Sequence, residues 1–255
     1  MELSTAWFNY VNRLSGIDKA ATQRIGEFVG SISNFSISNV EHMSLLIQEA
    51  YAVSSVYGEA AATLAAEMYD ALGLASGMFL DPAEIAETAS LAQVEWTVKG
   101  AAKTLNPSEV ASAVGRLVKK AGVDTVLQNA KRDGAEVAWV PSGDTCAYCV
   151  ALAGRGWRNA DNSYKEHIHS NCDCTLATRF NEKTSIKGYD PQKYEDMYYS
   201  ADLEGEAPTS KNRINALRRE FYAKNKEEIN ANKRINYAER KARLNSSEAE
   251  EILVN

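Results

Sequence analysis

Over the first 130 or so residues the hydrophobic positions recur at helical spacing. Ser38-Asn39-Val40-Glu41 has capping-box form. It opens the stretch NVEHMSLLIQEAYAVSSVYGEAAATLAAEMYDAL, which is expected to end before Gly73 as C′ residue. An unbroken helix of that length would be about 50 Å long, at about 1.5 Å per residue. Gly58 weakens it locally. Met43, Ile47, Tyr51 and Ser54 to Tyr57 trace one face, read as core, and the Ala-rich second half allows close packing. Asp81-Pro82 and Asn106-Pro107 each pair an N-cap residue with Pro at N1 and predict two further helix starts. The second of these is expected to stop at Gly122. A short helix, DTVLQNAKR, then runs to the turn signal Asp133-Gly134. His42, inside the long helix without another His or Cys near it, reads as an ordinary surface or core residue.

The pattern changes at Ala135. EVAWV alternates as a strand does, with Val137 and Trp139 on one face and Ala138 and Val140 on the other. Pro141-Ser142-Gly143-Asp144 is turn chemistry, and ALAGRGW offers a reversal through Gly154 and Gly156. After Pro208 the chain contains neither Pro nor Gly and is rich in helix formers. There Ile214, Leu217 and Phe221 are spaced i, i+3, i+7, and the apolar stripe thins beyond Ile229, which predicts an exposed helix or one ordered by a partner. The expected architecture is mainly α. It comprises a helical domain over 1–134, a small β-rich (α+β), Cys/His-stapled module over 135–205, and a charged helical tail over 206–255.

Charge sharpens that division. The net charge is −6. Residues 1–140 carry 10 Lys/Arg against 16 Asp/Glu, and residues 141–210 carry 7 against 11. By contrast, Lys211 to Arg243 holds 11 basic and 4 acidic residues. A basic arm on an acidic body suits an acidic partner, nucleic acid or protein, or else a solvated helix face. No apolar run approaches the roughly 20 residues needed to span a bilayer, and no signal peptide is legible at the N-terminus. Cytoplasmic synthesis is therefore expected, with thiols kept reduced.

All four cysteines lie within 29 positions, from Cys146 to Cys174, together with two of the three histidines. Cys146-x-x-Cys149 and His169-x-x-Cys172 form two short-range pairs joined by a longer loop, the spacing of a tetrahedral zinc site. Cys174 is the main alternative to His169 as fourth ligand, and His167 is a sixth candidate. Three thiolates and one imidazole would leave the site near −1, which Arg155, Arg158 or Arg179 would offset. The segment is small, and a staple would compensate for its limited core. Reduced unmetallated thiols, a disulfide and a thioredoxin-type redox motif are the competing chemistries, the last disfavoured because no βαβ pattern surrounds the CxxC. A zinc deaminase needs H-x-E ahead of P-C-x-x-C, and here EHIH follows the cysteine pair. No phosphate-binding Gly-rich loop, G-x-S-x-G or H-E-x-x-H occurs, so no enzyme is expected.

TCAYCVALAGRGW followed by HSNCDC resembles the C-x-x-C…H-x-x-C-x-C signature of phage minor capsid, or head morphogenesis, proteins of the Mu F-protein type. His169, Asn171, Cys172 and Cys174 match that signature position by position, with Ser170 and Asp173 departing from it. VYGEAAATLAAEMYDAL (Val56–Leu72) and GYDPQKYEDMY (Gly188–Tyr198) are similar to minor capsid proteins of phages of Gram-positive hosts. The resemblance implies a low-copy structural protein inside the virion head. It would be associated with the portal protein or the major capsid protein, and Lys211–Arg243 would be available for non-specific DNA contact. The reading from a different class is a nucleic-acid-binding zinc protein acting as a regulator.

Overall fold

A computed structural model describes residues 3–104, 106–142, 145–160, 168, 174–182, 185–231, 233–235 and 238. The chain divides into two compact units, Met1–Met197 and Tyr198–Asn255.

The first unit is built on four helices, α1 (Leu3–Ser31), α2 (Val40–Ala75), α3 (Leu91–Ala102) and α4 (Pro107–Asp133). Helix α2 packs on α1, α3 and α4, and α4 also contacts α1 and α3. Asn39, not Ser38, caps α2: its side chain accepts hydrogen bonds from the backbone N–H groups of Glu41 at 2.8 Å and His42 at 3.2 Å. The helix ends two residues beyond Gly73, and the left-handed residue that turns the chain is Gly77, at φ +76°. The buried face of α2 is also rotated from the expected stripe. Leu46, Ala50, Val53, Gly58, Ala61 and Ala65 are buried, whereas Met43 and Ile47 are half-buried and Tyr51 is exposed. Small residues win this face because α4 approaches closely there. A Cβ on Gly122 would lie 3.2 Å from the Ala61 carbonyl oxygen. Gly122 therefore serves close approach and does not stop the helix; α4 runs unbroken to Asp133, with Gly134 at φ +66° as its cap.

Asp81-Pro82 starts no helix. Residues 78–90 form an extended strap along α4, and α3 begins only at Leu91, where Ser90 and Gln93 make a reciprocal capping box. The reason is tertiary: α4 side chains take up the strap's main chain. Arg132 donates to the carbonyls of Asp81 and Pro82 at 2.9 and 3.1 Å. Asn129 accepts from Glu84 N–H at 3.0 Å and donates to Glu84 C=O at 2.7 Å. Thr125 accepts from Ala86 N–H at 3.0 Å. Asp70 of α2 accepts from Ala83 N–H at 2.9 Å. With partners supplied from outside, this backbone has no need of helical ones.

A three-stranded antiparallel sheet of order β2-β1-β3 completes the unit. It is formed by β1 (Glu136–Val140), β2 (Arg158–Asn159) and β3 (Thr175–Arg179), with helix α5 (Ala147–Ala153) between β1 and β2. Residues of β1 and β3 pair from Glu136↔Arg179 to Val140↔Thr175. Val137, Trp139, Leu152 and Leu176 join the same hydrophobic core as the helices, so bundle and sheet bury one another. Helix α6 (Pro191–Tyr199) follows, with the Asp190 carboxylate accepting from Gln192 N–H at 3.0 Å. The molecule is thus mainly helical with a small sheet, as the sequence pattern predicts.

The second unit centres on α7 (Ser210–Lys224), capped by the Thr209 hydroxyl, which accepts from Asn212 N–H at 3.2 Å. Within it Ala201, Ala216 and Leu217 are buried. The Arg213 guanidinium lies 4.9 Å from the Tyr199 ring centre and donates to the Tyr199 carbonyl at 2.9 Å. Arg219 pairs with Glu204 and Glu206 at 3.6 and 3.5 Å. Among the described residues, no helix of either unit is long and apolar enough to cross a membrane.

Candidate metal centre

The register of the sheet brings the cysteine-bearing segments together. Val140, the last residue of β1, faces Thr175, the first of β3. The end of β1 that leads toward Cys146 and the start of β3 that directly follows Cys174 therefore lie at the same end of the sheet. Cys146 is the N-cap of α5, with φ −68° and ψ 156°, and its Sγ accepts from the backbone N–H of Cys149 at 3.4 Å. A spacing of three in that turn sets Cys146 and Cys149 on one side of α5. Cys149 is fully buried, and Cys146 and Cys174 are half-buried. No disulfide joins these three cysteines to one another.

Tyr194 of α6 lies near both cysteine segments. Burial raises its phenol pKa above the ordinary value, and the nearby Cys174 thiolate raises it further. A hydrogen bond with Thr145, the residue before Cys146, acts in the opposite direction. One tyrosine therefore senses both cysteine segments.

The surroundings are aromatic and tightly packed. Tyr189 donates its hydroxyl proton to the Ala153 carbonyl at 2.8 Å, meets Trp157 edge-on at 5.8 Å, and stacks on Tyr194 at 6.3 Å. The α6 backbone presses on Gly154, where a Cβ would lie 2.8 Å from Glu195 N. Arg179, one of three cations expected to offset a metal site, is committed elsewhere. Its Nε lies 2.6 Å from the Glu136 carboxylate, and its guanidinium covers Trp157 at 5.2 Å. The supporting residues Gly154, Trp157, Tyr189 and Tyr194 were not singled out as site residues from sequence. Their signal lies in ALAGRGW, read from sequence as a chain reversal, and in GYDPQKYEDMY, noted there for its resemblance to minor capsid proteins.

Of the expected ligands, Cys146 and Cys149 follow β1 and Cys174 directly precedes β3, whereas His169, Cys172 and the further candidate His167 lie outside the described residues. Among the described residues no group of three or more His, Cys, Asp or Glu side chains is placed to hold a metal ion. The donors that are described are soft sulfurs, the class that suits zinc.

No curated protein and no solved structure matches the chain. The model of the VG15 protein family matches residues 1–201. That span takes in helices α1 to α6, the strap, the sheet and every cysteine, and it stops four residues after Met197, where the first unit ends. The chain therefore belongs to the VG15 protein family, a family of phage proteins.

Proposed function

We propose that the protein is a minor capsid protein of the phage head, seated inside the shell near the portal, where it acts in head morphogenesis by binding and performs no catalysis. The observation that carries this reading is the Cys/His signature at 146–174, which lies within the stretch matched by a phage protein family. Its partners are the portal protein or the major capsid protein. Zinc at Cys146, Cys149, His169 and Cys172, with Cys174 as alternative to His169, is the staple of the sheet end. The pairing of Val140 with Thr175, which sets the end of β1 that leads toward Cys146 beside the start of β3 that follows Cys174, supports that assignment. Bound there, zinc would contribute cross-linking and no reactivity.

The tail meets packaged DNA through phosphates, without reading bases. Arg213 and Arg219 are engaged with backbone and carboxylates of their own unit, so they add little to this contact. Lys211, Arg218, Lys224, Lys226, Lys233 and Arg234 are exposed and carry it.

The test is mass spectrometry of purified virions, with protease treatment before and after the particles are opened. The protein is expected at far fewer copies than the major capsid protein and resistant until opening. Absence from both virions and procapsids would refute the head assignment and favour a nucleic-acid regulator.

A further inference from the structure

The strap holds a large aromatic side chain in water on a backbone that is fixed. Phe79 is fully exposed. The residue before it is pinned, because Met78 N–H donates to the Gly73 carbonyl at 3.0 Å. The residue after it, Leu80, sits against Gly73 beside Phe180. Six residues further on, Ile85 is half exposed, between Glu84 and Ala86, whose amides are held by Asn129 and Thr125. Loops without secondary structure of this length are usually built for a purpose, and rigid ones lose little conformational freedom on binding. The exposed ring adds nothing to the fold, and beside it Met78 is also exposed, so two adjacent apolar side chains stand in water on a held backbone.

The charge around it defines the partner. The strap, the side chains that hold it and the groove of about 610 Å³ beside it bring together Asp70, Asp81, Glu84, Glu87 and Asp124. Lys120, Lys131 and Arg132 oppose them, leaving five carboxylates against three cations, a net of −2. We propose that the strap is a preformed docking ridge for another head protein, one whose surface offers an apolar pocket for Phe79 edged by Lys or Arg. Ile85 is the second anchor, and Glu84 and Glu87 set the orientation. The inference rests on the head-protein reading above.

The experiment measures binding of the full chain to the purified portal protein and to the purified major capsid protein of the same phage, at several salt concentrations. Phe79→Ser makes no contact in the fold to lose, so it should melt as the parent does. It should bind at least tenfold more weakly, in line with loss of a central aromatic anchor. Glu84→Lys with Glu87→Lys should also weaken binding and flatten its salt dependence. Binding that is unchanged in both variants overturns the docking ridge and leaves the head assignment standing. Failure of the parent chain to bind either protein overturns the ridge, and the virion measurement then decides the head assignment separately.

Discussion

Asn129 is the residue on which the strap depends most, and its removal is a direct test of how the first unit is held together. The side chain is buried, at 1% exposure, and bonds both backbone groups of Glu84 while also donating to the Thr125 carbonyl at 2.7 Å. In Asn129→Ala the Glu84 carbonyl keeps one partner, because Gln128 donates to it at 2.6 Å. The Glu84 N–H keeps none. Stranding a partly buried donor and losing the net value of the bonds together amount to about 2 kcal/mol. For a unit of this size that corresponds to a fall in Tm of about 4–8 °C. Tryptophan fluorescence is the assay of choice, since Trp7, Trp96, Trp139 and Trp157 all lie in the first unit and Trp7 and Trp139 are buried. Gln128→Ala is the matched control: it removes only the shared, exposed bond and should change stability by about 0.5 kcal/mol or less. Hydrogen exchange should speed up at the Glu84 amide in Asn129→Ala and stay slow at Ala83, which Asp70 holds. If Asn129→Ala and Gln128→Ala melt alike, the side-chain ladder does not hold the strap and the reasoning fails.

Four further outcomes follow from the same contacts. The Asp133 carboxylate is held below its ordinary pKa, chiefly by the adjacent Arg132 guanidinium and also by the Tyr69 hydroxyl, against the opposing effect of burial. Its contribution is therefore present above the unfolded value and lost as pH falls through the folded one; Asp133→Asn should flatten the acid limb of a stability–pH curve below about pH 4, and a limb identical to the parent's would contradict it. Gly154→Ala should destabilise by about 1–3 kcal/mol, because the new Cβ meets the α6 backbone, whereas Gly26→Ala, in open space within α1, should stabilise by about 0.5–1 kcal/mol in thermal melts. Elemental analysis of protein purified without added metal should find one zinc per chain, and Cys146→Ser should lower that content more than Cys174→Ser; substoichiometric metal with all four thiols titratable in the native state would refute the staple. Duplex DNA binding should weaken with salt at a log–log slope of about −0.9 per phosphate neutralised, about −5.4 from the six exposed described cations alone, and deletion of 211–255 should abolish it, whereas undiminished binding by the truncated chain would reassign the tail.

Local signals and tertiary context separate cleanly along this chain. Asn106-Pro107 and Asp81-Pro82 carry the same start signal, and only the first begins a helix. What differs is Thr125, Asn129 and Arg132, three polar α4 residues more than 35 positions away that capture the second segment's backbone. Nothing near Asp81 announces them. Gly122 and Gly134 were both expected to end helices, yet only Gly134 adopts a left-handed conformation, while Gly122 makes room for Ala61. Strand β1 was legible because its alternation is local. The face of α2 was legible only in its Ala-rich half, since the small residues that admit α4 attract less notice than Met43 or Tyr51. For the candidate site, the cysteine spacing was evident at once. That β1 and β3 would deliver Cys146 and Cys174 to one sheet end depends on a register that spacing does not encode.

The strap is recognised through its peptide groups, and this has an evolutionary consequence. A substitution at Phe79, Glu84, Ile85 or Glu87 leaves Asn129, Thr125 and Arg132 bonding the same amides and carbonyls, so the ridge can change its chemistry with little effect on folding. The constraint falls instead on the helix beneath. A lineage of such proteins could follow a diverging partner by altering exposed strap side chains one at a time, each step nearly silent in stability, while the α4 ladder stayed fixed.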